Sequence, residues 1–202
     1  MMTRSVVVSL LLLCGGLLST SQGASLNPDR WIPADIGAPA RPGSTRVEGE
    51  RIEVIAGGTG LGPRLDQFHF AASETTNDFD LKVRVSALEA TDVLARAGLM
   101  VRANLDSNAP FAGVFASPSA AGTHFLYRTS LGSIPVQAGL FPPNLPYAWL
   151  RLQRTGDLLA GMASVDGRRW TLLGSTVLSL PESQVGIAVT SRALTIHKIE
   201  VR

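Results

Sequence analysis

The stretch from Trp149 to Gly174 constrains the fold of this chain more than any other segment. Its apolar and polar residues alternate, and two tight turns interrupt them, Thr-Gly-Asp at 155–157 and Asp-Gly at 166–167. An Asp-Gly pair between alternating runs is a strong β-hairpin signal, because both residues tolerate a positive φ. The stretch therefore predicts three consecutive antiparallel strands.

Residues 79–88 show the cleanest alternation in the chain. Every second side chain from Phe79 to Ala87 is apolar, and polar side chains lie between them. A period of two indicates a strand of an antiparallel sheet with one buried and one solvated face. About eleven such short strands, with no amphipathic helix, predict an all-β fold, namely a two-sheet antiparallel β-sandwich of the jelly-roll type. Four prolines between 131 and 147 predict a long irregular loop there.

The N-terminus has the pattern of an export signal. Arg4 precedes an apolar run over residues 5–18, and small and polar residues follow over 19–24. This order predicts a signal peptide over 1–23, cleaved after Gly23. Acylation of Cys14, as in a lipoprotein, is the alternative, but Leu13 stands where lipoprotein signals carry a small residue. The sequence favours a secreted or periplasmic protein, with an extended lead-in over 24–44 and one sandwich domain over 45–202.

Charge and cysteine content exclude several classes of function. Cys14 is the only cysteine, so the cleaved chain would have no disulfide and no thiolate chemistry. The formal net charge is +2 and the basic residues are scattered, so no nucleic-acid partner is predicted. The long apolar run belongs to the signal, so no transmembrane segment is predicted after cleavage.

Several short motifs together resemble a known family. They are WIPADIG (31–37), DQFHF (66–70), AGLMVR (97–102), WLRLQR (149–154) and SVDGRRW (164–170), with VGIAVTS (185–191) as the ending. In this order they resemble the concanavalin A-like (laminin-G-like) jelly-roll domains of bacterial extracytoplasmic proteins, in particular the DUF1349-type group. The resemblance implies two antiparallel sheets, one of them concave, and often an accessory role beside secreted carbohydrate-active enzymes.

Arginines inside predicted strands are the candidate ligand-binding residues. A planar guanidinium can pair with carboxylates or sugar hydroxyls, and strand parity places some arginines beside a histidine or a tryptophan. The predicted ligand-binding residues are Arg102, His124, Arg128, Trp149, Arg151 and Gln153. The alternative is that Trp149 belongs to the core and that the arginines pair with carboxylates such as Asp80 or Glu89.

The sequence gives little support for catalysis. The segment Glu-Gly-Glu-Arg-Ile-Glu (48–53) resembles the Glu-x-Asp-x-x-Glu strand of glucanases, with Glu50 in place of the aspartate. Gly49 and the expected turn favour a solvated hairpin instead. The three histidines are isolated in sequence, and no serine stands in a nucleophile-elbow context. We therefore predict no catalytic residues.

Two further expectations concern structure rather than chemistry. No cofactor is predicted other than a structural calcium ion, for which Asp78 and Asp80 are the candidate ligands. The hairpin from Ser164 to Trp170 resembles the Asp-box of sialidases, shortened by one residue. In it, Ser164, Asp166 and Gly167 are predicted to fix the turn and Trp170 to pack beneath it.

The leading hypothesis is a secreted non-catalytic module that binds a carbohydrate or another cell-surface ligand weakly through a concave sheet face. One alternative is a structural or protein-interaction module of the cell envelope. The other is a glycan hydrolase of the same superfold.

Overall fold

The computed structural model describes residues 30–192 and 197–201, the last five by their backbone alone, and these residues contain no α-helix. In chain order the strands are β1 (Ile32–Ile36), β2 (Ser44–Glu48), β3 (Arg51–Ala56), β4 (Gly60–Leu61), β5 (Asp66–Thr75), β6 (Phe79–Leu88), β7 (Arg96–Arg102), β8 (Phe111–Ala116), β9 (Thr123–Arg128), β10 (Val136–Phe141), β11 (Ala148–Thr155), β12 (Leu158–Ser164), β13 (Thr171–Val177), β14 (Ser183–Thr190) and β15 (His197–Val201). The predicted signal peptide over 1–23, with Cys14, lies outside the described residues.

The strands form two antiparallel sheets, which confirms the predicted all-β sandwich. Sheet I has the order β1-β5-β14-β7-β8-β9-β10, and the short β4 pairs with β5. Sheet II has the order β13-β12-β11-β6-β15-β3-β2. Hairpins join β11 to β12 and β12 to β13, as the sequence predicts. The last two strands instead insert between earlier ones, β14 between β5 and β7, and β15 between β3 and β6.

The main core lies between the two sheets. Val83 of β6 and Leu150 of β11 are 0–1 % exposed, and they share one buried cluster with Leu99 of sheet I. Burying such a side chain fully contributes about 1.5–3 kcal/mol. The alternation in residues 79–88 therefore fixes which face of sheet II points inward. We call the side of each sheet that points away from this core its outer face.

The central strands of sheet I are buried on both faces. Every residue of β8 is buried; Val114 faces the main core, whereas Phe111 and Phe115 belong to a second cluster on the outer face. The other buried members of the second cluster are Ile36, Phe68, Phe70, Ala72, Met100, Leu126 and Ala188. A strand buried on both faces has a continuous apolar sequence instead of an alternating one, and the sequence FAGVFA of β8 fits this rule.

Two glycines allow close approach between strands of sheet I. A Cβ at Gly98 would lie 1.9 Å from the carbonyl oxygen of Val114, and one at Gly186 would lie 2.0 Å from that of Ala71. Glycine inside a strand often marks a place where another backbone comes this close. The local geometry of the sheet therefore depends on both glycines.

Two segments differ from the sequence-based expectation. The predicted irregular loop over 131–147 contains β10, which pairs with β9 at the edge of sheet I. Its prolines lie outside the strand, at 135 and from 142 onward, so they do not interrupt the pairing. The predicted lead-in over 24–44 contains β1, an edge strand of sheet I. Trp31 and Ile36 beside and within it are buried, with exposed fractions of 9 % and 1 %.

The described residues include no helix long and apolar enough to cross a membrane.

Candidate functional site

The structure divides the six predicted ligand-binding residues between the outer faces of the two sheets. Arg102 ends β7, and His124 and Arg128 belong to β9, so these three lie on the outer face of sheet I. The other three, Trp149, Arg151 and Gln153, lie on β11, on the outer face of sheet II. The parity predicted within each strand is correct, but the structure does not bring the six residues together into one site.

Arg128 is the centre of a buried ion pair. Its guanidinium donates to both carboxylate oxygens of Asp66 at 2.9 Å, and both side chains are 0 % exposed. It also donates to the carbonyl oxygens of Ser133 at 2.7 Å, Gly62 at 2.8 Å and Ala109 at 3.3 Å. These contacts tie three loops to the ends of β5 and β9. Arg128 is therefore a structural residue with its donors already satisfied.

Arg102 lies beside the same carboxylate. Its Nη2 is 3.6 Å from Asp66, and its guanidinium stacks over Phe68 at 5.2 Å from the ring centroid. Its Nε donates to the carbonyl oxygen of Asn104 at 2.7 Å, and Nη2 donates to that of Asp106. The side chain is 0 % exposed, so it holds the 104–106 loop and does not face solvent.

Burial shifts the pKa values of two residues in this cluster, Arg102 and Asp66. It lowers the pKa of Arg102 to about 10, so the guanidinium stays protonated at neutral pH. Burial also raises the pKa of Asp66, while its hydrogen bonds and charge attraction with Arg128 act in the opposite direction. The cluster thus places two cations against one carboxylate, in surroundings where an unpaired charge is costly.

His124 and the two candidate calcium ligands also have protein partners. The Nδ1 of His124 is 2.9 Å from the carbonyl oxygen of Gly139, so this side chain links β9 to β10. Asp78 accepts a hydrogen bond of 2.7 Å from the backbone N–H of Gly156. Asp80 accepts two hydrogen bonds from Arg151. Among the described residues, no group of three His, Cys, Asp or Glu side chains could hold a metal ion, and the calcium site at Asp78 and Asp80 stays a prediction.

The outer face of sheet II carries two arginine–tryptophan pairs. The guanidinium of Arg84 on β6 lies 5.7 Å from the ring centroid of Trp149, its direct neighbour in the register. The guanidinium of Arg151 lies at the same distance from the ring of Trp170. All four side chains are half-buried. We call these four residues the tryptophan–arginine face.

Arg151 has a full carboxylate partner. Its Nε and Nη2 donate to the two oxygens of Asp80 at 2.7 and 2.6 Å. The predicted alternative, in which an arginine pairs with Asp80, is therefore correct for this residue. Lys82 is 3.9 Å from the same carboxylate. One carboxylate thus serves two cations on this face.

The hairpin turn closes the end of the tryptophan–arginine face. Asp166 Oδ1 accepts from the Ser164 hydroxyl at 2.9 Å and from the backbone N–H groups of residues 168 and 169 at 2.8 Å each. These donors lower the pKa of Asp166 to about 2. Gly167 has a φ of +69°, and a Cβ there would lie 3.0 Å from the ring of Trp149. Trp149 therefore packs directly against the turn, and the packing of Trp170 beneath it stays a prediction.

One hydrogen-bonded chain has the order of a nucleophilic triad. Thr45 Oγ1 is 2.9 Å from His69 Nε2, and His69 Nδ1 is 2.8 Å from an oxygen of Asp35. Hydroxyl, imidazole and carboxylate follow each other in this order in hydrolytic enzymes. Here the imidazole is 2 % exposed, and Gly43 covers it so closely that a Cβ would lie 2.4 Å from the ring. The chain joins β1, β2 and β5, and we assign it a structural role.

Two neighbouring hollows open at one end of sheet I. Their volumes are about 280 and 420 Å³, and both are lined by Glu74, Leu105 and Gln184. Gln184 donates to Glu74 at 3.2 Å across their boundary. No aromatic ring lines either hollow, which distinguishes them from the tryptophan–arginine face.

Sequence reasoning did not single out Arg84, and it assigned Trp170 to structure alone. The alternation in residues 79–88 does place Arg84 on the polar side of its strand. The missing information was the strand order, because only the pairing of β6 with β11 brings Arg84 next to Trp149.

No model of a known protein family matches the chain, and no curated protein sequence matches it. Solved structures do share its fold. A protein of unknown function from Saccharomyces cerevisiae superposes with a TM-score of 0.65 and 19 % identity, covering 86 % of this chain and 94 % of that one. The carbohydrate-binding module CBM66 from Bacillus subtilis superposes with a TM-score of 0.54 and 12 % identity, covering 88 % and 92 %.

A GH43 protein from Bacillus licheniformis also matches, with a TM-score of 0.54 and 12 % identity, but the match covers 76 % of this chain and only 32 % of that one. Such identities show a common β-sandwich fold alone, and the resemblance to the DUF1349-type group stays a prediction.

Proposed function

We propose that this chain is an exported, non-catalytic module that binds carbohydrate through the tryptophan–arginine face of sheet II. The carrying observation is the pair of half-buried tryptophans, Trp149 and Trp170, each with a guanidinium at 5.7 Å on a polar sheet face. Tryptophan offers apolar area and a polar N–H together, and arginine offers planar donors. A sugar ring presents the complementary combination of C–H and hydroxyl groups.

The fold is compatible with this proposal, because CBM66 has the same sandwich architecture. The predicted ligand-binding arginines of sheet I, in comparison, are not accessible to a ligand. Arg102 and Arg128 are 0 % exposed and hold loops, so the outer face of sheet II is where the predicted residues remain available to a ligand.

Export is proposed from the signal pattern over residues 1–23. Mass spectrometry of the exported protein should find Ala24 at its N-terminus.

The hydrolase alternative receives no comparable support. Retaining glycosidases place two carboxyl groups about 5–5.5 Å apart. In the glucanase-like segment, Glu48 pairs with Arg46 at 2.6 Å and is half-exposed, and Glu50 stands in the exposed turn between β2 and β3. These residues form the solvated hairpin that the sequence favours.

A glycan array with the purified protein tests the proposal. We expect retention on a subset of glycans, and at least a tenfold loss of affinity for Trp170→Ala. Gln184→Ala is the matched control, because it changes the polar hollows and leaves the tryptophan–arginine face intact. Loss of binding in Gln184→Ala but not in Trp170→Ala would move the site to the hollows. Absence of binding to every glycan would refute carbohydrate binding and favour the protein-interaction module.

A further inference from the structure

Arg84 differs from every other stacked arginine of the described chain. Its Nε is shielded from solvent and has no hydrogen-bond partner. Its guanidinium stacks on Trp149 at 5.7 Å, but it forms no ion pair with any described residue. Arg151 stacks in the same way on the same face, with its fork filled by Asp80 at 2.6–2.7 Å. Arg84 and Arg151 therefore differ in one respect: the guanidinium of Arg151 binds a carboxylate of the protein, and that of Arg84 does not.

The charges around Arg84 do not supply the missing anion. Asp80 already serves both Arg151 at 2.6 Å and Lys82 at 3.9 Å. Asp166 is ionised at neutral pH, but its Oδ1 accepts three hydrogen bonds from its own turn. Among the described residues of β6, β11 and the 164–170 hairpin, cations thus outnumber carboxylates, and Arg84 is a stacked arginine there with no carboxylate partner.

We propose that the tryptophan–arginine face selects glycans that carry carboxylates, that is, polysaccharides containing uronic acids. The carboxylate would accept hydrogen bonds from the two terminal nitrogens of the half-buried Arg84 guanidinium, while the sugar ring contacts the aromatic surface beside it. Planar, bidentate recognition of this kind is the geometry for which arginine is suited. This inference rests on the proposed carbohydrate binding and adds the class of sugar.

Calorimetric titration with two matched ligands tests the selectivity. One is an oligomer of galacturonic acid, and the other is the same oligomer with its carboxyl groups methyl-esterified, which keeps the ring and removes the charge. We expect the acid to bind at least tenfold more tightly at low salt, and the difference to shrink in 0.5 M NaCl, where the Debye length falls to roughly 4 Å. Equal affinity for both oligomers, or binding of glycans on the array without binding of the acid, would overturn the selectivity and leave carbohydrate binding intact. Preference for sulfated glycans over the acid would overturn the carboxylate assignment.

Variants at Arg84 locate the effect. Arg84→Gln should lower the affinity for the acid about tenfold, to that of the ester, and Arg84→Lys should restore it only in part, because lysine lacks the planar fork. Arg46→Gln is the matched control: Arg46 lies on β2 of the same sheet, is 75 % exposed and pairs with Glu48. Urea unfolding of each variant confirms that the fold is kept. Unchanged affinity of folded Arg84→Gln for the acid would refute the role of Arg84.

Discussion

The buried pair of Arg128 and Asp66 gives the strongest prediction about stability. In Arg128→Met, the Asp66 carboxylate loses both of its 2.9 Å hydrogen bonds and keeps Arg102 at 3.6 Å and the backbone N–H of Gly62. Three loop carbonyls that Arg128 binds, at 2.7–3.3 Å, lose their donor as well. The substitution therefore leaves the buried carboxylate without its nearest cation and several buried carbonyl groups without a donor.

The expected cost is large for a single substitution. Removing one partner of a buried ion pair typically costs roughly 3–5 kcal/mol, and each buried polar group left unpaired costs about 1–3 kcal/mol more where water cannot reach it. We expect the free energy of unfolding to fall by about 4 kcal/mol or more, a large part of the roughly 5–15 kcal/mol that domains have. With an m-value of about 2 kcal/mol per M, the urea midpoint should fall by about 2 M.

Equilibrium urea unfolding of Arg128→Met, Asp66→Asn and the double variant checks this expectation. The double variant should cost less than the sum of the singles, by about 0.5–3 kcal/mol, because the two groups are in contact. Arg46→Met removes an exposed pair with Glu48 and should cost less than about 1 kcal/mol. Strict additivity, or a cost for Arg128→Met as small as that of Arg46→Met, would refute the reasoning.

Two other predictions concern the backbone. Gly98→Ala places a Cβ 1.9 Å from a carbonyl oxygen of β8 and should lower the free energy of unfolding by about 3 kcal/mol or more, because this contact is with backbone that cannot easily move. Gly156→Ala, with φ +58° and open space, should lower it by about 1–2 kcal/mol. Calorimetric melting compares the two variants, and a Gly98→Ala protein as stable as the wild type would contradict the steric argument. The N–H groups of Arg169 and Arg168 and the Ser164 hydroxyl lower the pKa of Asp166 to about 2 from 3.8, so its stabilisation is present above pH 3.8 and is lost as the pH falls through about 2. Asp166→Asn should flatten the pH dependence of the unfolding midpoint between about pH 4 and 2, and parallel profiles of the two proteins would contradict this.

Strand positions could be predicted from the sequence because their signals are local. Alternation predicts β6 with its observed bounds, Phe79–Leu88, and the segment Arg51–Ala56 is β3 as predicted. The order of strands could not be predicted. Nothing local in the last two strands shows that β14 inserts between β5 and β7, or β15 between β3 and β6. Such pairings are between residues far apart in the chain, and they are decided by burial of whole faces.

For the candidate site, the sequence predicts the strand face of a residue but not its exposure to solvent. Parity correctly placed Arg102 and Arg128 on one face of their strands, but their exposure depends on loops that fold over them, such as Asn104 and Ser133, whose carbonyls they bind. Asp66 is 62 positions from Arg128, so no spacing in the sequence marks the pair. The sequence therefore predicts on which face of its strand each arginine lies, but it does not predict which residues surround the guanidinium.

Arginine in this chain combines stacking with hydrogen bonding. Four guanidiniums stack on rings of described residues, two on phenylalanine at 5.2 Å and two on tryptophan at 5.7 Å. A lysine could contact such a ring, but it could not also present a planar fork to carbonyls or carboxylates. In three of the four pairs, the guanidinium also donates hydrogen bonds to protein oxygens; these are the pairs of Arg102, Arg128 and Arg151. Stacking alone therefore does not distinguish a ligand-binding arginine from a structural one. Among the described arginine–aromatic pairs, Arg84 is the one whose guanidinium has no protein oxygen as a partner, and this difference is why the proposed carboxylate contact is assigned to it.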